Sequence, residues 1–151
     1  MTYLESITYL TGNFLQVSQF ALKNAYRVIC LTEGKEKETP YMAGALSQVE
    51  ACEALAKAYL TMNKSLSGEE LLQFFSLHKG LSSKDFKDLK TMLNKRDYLV
   101  SYFYLENTSR LALEEVAVYE SVIKELKEYV ELANKLNVSL SKACDRLYTL
   151  F

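Results

Sequence analysis

Tyr3, Ile7, Leu10, Phe14, Val17, Ala21, Asn24, Val28 and Leu31 recur at alternating steps of four and three. Such spacing draws a continuous stripe down one side of a helix, the seam of an antiparallel bundle. It predicts a helix over 3–32, roughly 45 Å long at about 1.5 Å per residue. Asn24 is the polar break in the stripe. A buried Asn there sets register against a neighbour; a contact at the end of a turn is the alternative. EGKEKETP (33–40) reads as a loop, being charged, holding Gly34 and ending in Pro40. A second helix is expected over 41–63, with Met42, Leu46, Val49, Cys52, Ala56 and Tyr59 along its stripe. Ser67 and Glu70 make an S-x-x-E capping box for a short helix over 69–77, which stops at Gly80. Ser82 or Ser83 then caps a helix to about 107. Thr108 or Ser109 caps the next, where Ala112, Val116, Tyr119, Ile123, Leu126, Val130 and Ala133 step by four and three until Asn137 interrupts. A last helix is expected over 140–150.

This pattern predicts an all-α fold: an up-and-down four-helix bundle core with additional short helices, in one domain spanning residues 1–151. Composition agrees. Five glycines and one proline are too few for a turn-rich β fold. A formal net charge of -1 lacks the basic excess of a dedicated nucleic-acid binder. Lys84, Lys87, Lys90, Lys95 and Arg96 lie close together, but Asp85, Asp88 and Asp97 dilute them into a solvated helix face. Cys30, Cys52 and Cys144 are odd in number and widely spaced. They match neither a disulfide framework nor a zinc pattern, and point to a reducing compartment. The N-terminus has no basic region and no uninterrupted apolar core, and no apolar run reaches bilayer-spanning length. A cytoplasmic protein without membrane association is expected.

The chemistry-bearing residues are few. His78 is the one histidine, which sets aside His-rich metal sites and His-based triads. Glu50, Glu53, Glu114 and Glu115 have no His partner for a di-iron site and read as solvent-facing acids. No Gly-rich phosphate loop, serine elbow or cysteine-nucleophile signature is present. No metal and no cofactor is expected. LHKGLSS (77–83) resembles the phosphoacceptor segment of histidine phosphotransfer domains, which implies phosphotransfer at His78 as a third reading of function. In that family, Lys and Gly follow about one turn later within an unbroken helix. Here Lys79 follows directly and Gly80 ends the helix, the ordinary chemistry of a helix C-terminus.

NKRDYLVSYFYLEN (94–107) is the odd stretch. Phe86, Leu89, Leu93, Arg96, Val100 and Phe103 step 3, 4, 3, 4, 3, so Arg96 takes a seam position where Leu is expected. A buried charge needs a partner. Asp97 points about 100° away on the helix and is a poor one. Asp97 and Ser101 are a turn apart on the adjoining face, near Tyr104. The segment resembles the signature of the HEPN superfamily. These α-helical bundles, commonly dimers, include ribonuclease toxins and noncatalytic partners of nucleotidyltransferases. Their motif is an Arg, a polar follower, then a His four to six residues further on amid large apolar residues. Arg96 matches the Arg, Asp97 the follower, and Leu99, Val100, Tyr102 and Phe103 the surround. The likeness covers about residues 85–135.

The His should fall at 101, 102 or 103, which are Ser101, Tyr102 and Phe103. Neither Ser nor Tyr titrates near neutral pH, so neither replaces His as a general base. The resemblance therefore implies a HEPN-like interaction module, catalytically inactive and toxin–antitoxin-like in use. It would bind a protein partner or a second copy through the helix spanning 84–106, using Arg96, Asp97, Ser101 and Tyr104. The alternative it leaves open is a residual ribonuclease acting on RNA through Arg96, Asp97, Ser101 and Tyr102.

Overall fold

The computed structural model describes residues 2–37, 68–78, 81–112 and 115–148. Among them the chain forms helices and no strand: α1 (Tyr3–Lys37), α2 (Gly68–His78), α3 (Ser83–Ser101), α4 (Phe103–Ala112) and α5 (Val116–Tyr148). The fold is an all-α bundle. The helix expected over 41–63, with Cys52, Glu50 and Glu53, lies outside the described residues, as do Gly80 and Glu114.

Two helices outrun their expected ends. α1 continues to Lys37, through residues whose charge suggested a loop. Glu and Lys are good helix formers, and a long helix already nucleated propagates at little cost. α5 passes through Asn137 and joins the two helices expected over 108–136 and 140–150. Thr108 and Ser109 cap nothing; they lie inside α4.

The reason α5 is unbroken is visible in its partner. Asn24 Nδ2 donates to Asn137 Oδ1 at 2.7 Å, and Arg27 Nη1 donates to Asn24 Oδ1 at 2.8 Å. The polar breaks of two separate stripes face each other and satisfy each other, so neither ends its helix. The same contacts give polarity. Tyr3 stacks on Tyr119 with ring centroids 5.3 Å apart, and Phe14 meets Tyr129 at 5.9 Å. Rising numbers on α1 meet rising numbers on α5, so the two long helices run parallel. α3 runs against α5: Asp85 meets Ser139 near one end, and Lys95 Nζ lies 5.0 Å from the Tyr129 ring centroid further along. The described long helices thus alternate up, down, up.

The core lies along the α1–α5 seam. Tyr119, Val122, Leu126, Tyr129, Ala133, Leu136, Leu140 and Ala143 are all buried, stepping 3 and 4 for the length of α5. Ile7, Leu10, Phe14, Ala21, Ala25, Val28 and Leu31 answer them from α1. Tyr3, expected in the seam, is 39% exposed at its open end. Each fully buried large side chain contributes roughly 1.5–3 kcal/mol over an exposed one. Ser18, fully buried, donates to the Leu15 carbonyl of its own helix at 2.8 Å and so leaves no orphan hydroxyl. Cys144 is buried, with its thiol 3.5 Å from the Asn24 carbonyl.

α3 starts as its sequence predicts. Ser82 is the N-cap, its hydroxyl accepting from Asp85 N at 3.1 Å. The Asp85 carboxylate is 4% exposed and accepts the Ser139 hydroxyl at 2.7 and 2.9 Å, fastening the start of α3 to α5.

Candidate functional site: the α3–α4 outer face

The inward stripe of α3 and α4 is Asp85, Leu89, Met92, Arg96, Leu99, Phe103 and Asn107, all buried except half-buried Arg96. Arg96 does stand on the core-facing stripe. Val100, expected beside it in the seam, is 69% exposed. The inward line runs through Leu99 instead, and Phe86 is only half-buried. Arg96 Nε is buried and has no hydrogen-bond partner among the described residues. The stem of this Arg packs along the stripe.

The other residues of the motif face elsewhere. Asp97, Ser101 and Tyr104 are exposed and share one stripe, one and then almost two turns along. Tyr102 is 58% exposed. No hydrogen bond joins Arg96 to Asp97, Ser101 or Tyr102 among the described residues. The motif therefore divides: its cation is turned to the core, its hydroxyls and carboxylate to the surface. His78 is the last residue of α2, and its side chain lies outside the described part.

The helix over 83–107 is broken at Tyr102, whose φ of -128° and ψ of -24° leave the helical range. No Gly or Pro follows residue 80, so neither supplies the bend. Backbone bonds cross it nonetheless: Tyr102 N donates to Tyr98 O at 2.8 Å and Glu106 N to Tyr102 O at 2.9 Å. Side chains clasp across it. The Tyr98 hydroxyl donates to Glu106 Oε2 at 2.9 Å and accepts from Asn107 Nδ2 at 3.3 Å. Asn107 Nδ2 also donates to the Phe103 carbonyl at 2.8 Å, and Asn107 Oδ1 accepts from Arg110 Nη1 at 3.0 Å. Phe103 sets its ring edge-on to Tyr98, centroids 6.1 Å apart. From α5, the Tyr129 hydroxyl donates to Glu125 Oε1. Burial, then the bond to Glu106, holds the Tyr98 phenol above its ordinary pKa of 10.0. Burial and the Glu125 bond push Tyr129 upward in the same way. These residues were not singled out from sequence. The contact spans eight positions across a break that periodicity does not mark.

Outward, the segment exposes large apolar side chains. Val100 is 69% exposed, Tyr104 48% and Leu105 78%. Glu106 is the sole formal charge over residues 98–109, and Tyr98 occupies it. Of eleven large apolar residues exposed among those described, seven gather at this end of the bundle: Tyr3, Leu4, Val100, Tyr102, Tyr104, Leu105 and Val116. A groove of about 350 Å³ at the opposite end of α3 mixes Lys84 and Lys135 with Asp88, Glu128 and Glu131. Among the described residues no group of three or more His, Cys, Asp and Glu is placed to hold a metal, and no helix is long and apolar enough to cross a membrane.

Comparison with protein-family models, curated proteins and solved structures finds no match.

Proposed function

We propose that this chain is an interaction module, HEPN-like in its helical signature and without the acid–base His of that signature. The outer face of residues 97–110 docks a second copy of the chain. The observation that carries the reading is a tyrosine-bearing helix face exposed to solvent, where Glu106, bonded to Tyr98, is the sole formal charge over residues 98–109. Depletion of charge with enrichment of Tyr is the compositional mark of contact surfaces.

Charge complementarity favours a second copy as the occupant. If the segment pairs antiparallel with itself, centred between Phe103 and Tyr104, Asp97 falls opposite Arg110, since 97 + 110 equals 103 + 104. A two-fold repeats this contact. Both side chains are exposed. Arg110 keeps further guanidinium donors after its bond to Asn107. The separation of Arg96 from Ser101 and Tyr102 favours docking over ribonuclease chemistry, which needs those groups at one reacting centre.

Sedimentation equilibrium tests the proposal. The wild-type chain is expected at twice its monomer mass, and Leu105→Glu at the monomer mass with its helix content kept. A wild-type monomer at every concentration, with Arg96→Ala retaining full stability, would sink it.

A further inference from the structure

We propose that α4 is a hinged strap: it swings about Tyr102 as a unit and is latched to the bundle by the Tyr98 hydroxyl. The proposal stands whether or not the outer face binds a copy.

The argument begins with what holds α4 down. Its buried residues are Phe103 and Asn107, and Leu111 is half-buried. The inward stripe of this ten-residue helix is therefore aromatic, amide, aliphatic. α3 presses Leu89, Met92, Leu93 and Leu99 inward over the preceding turns. Apolar burial scales with area, so α4 is attached far more weakly than its neighbour. Polar contacts make up part of the difference. Tyr98 clasps Glu106 and Asn107 at the hinge, and the Tyr119 hydroxyl donates to the Leu111 carbonyl at 2.8 Å at the far end.

Next comes what lets α4 move. Tyr102 already departs from helical dihedrals, so a swing is absorbed at one exposed residue, at the cost of the backbone bonds beside it. Within α4, Thr108 turns its hydroxyl back onto the Tyr104 carbonyl, a contact that loosens and bends helices. A short element with few buried contacts, many exposed ones and a ready hinge is where sub-global opening concentrates.

Finally there is what the latch senses. Tyr98 faces Glu106 and Asn107 from α4, with Arg110 behind Asn107, and Glu125 and Tyr129 from α5. Lys95, a turn earlier on α3, lies over the Tyr129 ring. The latch joins α3 to α4, with Glu125 and Tyr129 of α5 near it, and α4 is the helix that can leave. α4 also carries Tyr104 and Leu105, so its angle decides whether their side chains lie level with Val100.

Amide hydrogen exchange of the full chain, resolved by residue, tests the strap. It is run on wild type, Tyr98→Phe and Glu106→Ala. Removing the latch hydroxyl is expected to raise exchange across 105–112 about five-fold, the equivalent of one ordinary hydrogen bond, with 89–99 and 119–143 unchanged. Glu106→Ala, which leaves the Tyr98 ring in place, is expected to do the same. Equal rises in every helix would show that α4 opens only with the whole bundle. No change in either variant would show that the latch holds nothing. Either result overturns the proposal. The same runs on Leu105→Glu separate it from docking, because loss of a second copy's cover alone raises exchange on the outer face in wild-type latch background.

Discussion

The α1–α5 seam and the α3–α4 outer face are built from the same residue types and do opposite things. Both are rich in Leu, Val and Tyr. Along the seam these repeat in register on two parallel helices, and each large side chain finds a partner. On α3–α4 a bend at Tyr102 lies between Leu99, which goes in, and Leu105, which stays out. The difference teaches that an apolar residue off the inward line, as Val100 and Leu105 are off the line through Leu99, Phe103 and Asn107, stays at the surface, and its exposure then becomes a clue to contact.

The largest expected contrast is between two leucines. Leu126→Ala, at a fully buried seam position, should cost about 2–5 kcal/mol. Leu105→Ala should stay within about 0.5 kcal/mol at protein concentrations that keep the chain monomeric. Urea unfolding measures both, and equal losses would erase the distinction between the regions. Next is the asparagine pair. Asn24→Ala strands Asn137 and one bond of Arg27 and should cost about 1–3 kcal/mol. Replacing both Asn24 and Asn137 by Leu should recover most of that loss; a double-mutant cycle showing simple additivity would mean the pair does not interact.

A smaller effect concerns alkali. Tyr98 and Tyr129 have folded pKa values raised above the ordinary 10.0. Below pH 10 both are protonated folded and unfolded, and their contribution is fully present. As pH rises past 10 the unfolded chain ionises first, so stability falls until the folded values are passed. Denaturant midpoints should therefore drop above pH 10, and Tyr98→Phe should drop less steeply. An identical slope in the variant would show that Tyr98 is not coupled to folding.

Much of the fold was legible, and the reasons are specific. The steps of four and three read correctly on α1 from Ile7 to Leu31, because a seam that long leaves little ambiguity, while Tyr3 at its open end is exposed. The Ser82 cap read correctly because capping is local chemistry. Asn137 misled because a polar residue in a stripe looks like an end when its partner stands 113 positions away. The 33–37 segment misled because charge signals exposure as much as it signals a loop. Arg96 was placed on the core-facing stripe from helical phase alone, and Asp97 on another face. The clasp of Tyr98 to Glu106 and Asn107 was invisible, since it depends on a bend that neither Gly nor Pro announces. Val100 was expected in the seam with Arg96, but the inward line runs through Leu99, Phe103 and Asn107, which leaves Val100 and Leu105 to solvent.

The central claim is that this face meets its own copy with Asp97 against Arg110. Charge reversal measured by sedimentation tests it most directly. Asp97→Arg should weaken self-association about ten-fold, the equivalent of about 1.4 kcal/mol. Asp97→Arg combined with Arg110→Asp should restore the wild-type dissociation constant. A double variant as weak as the single one, or a single variant as tight as wild type, would contradict the account.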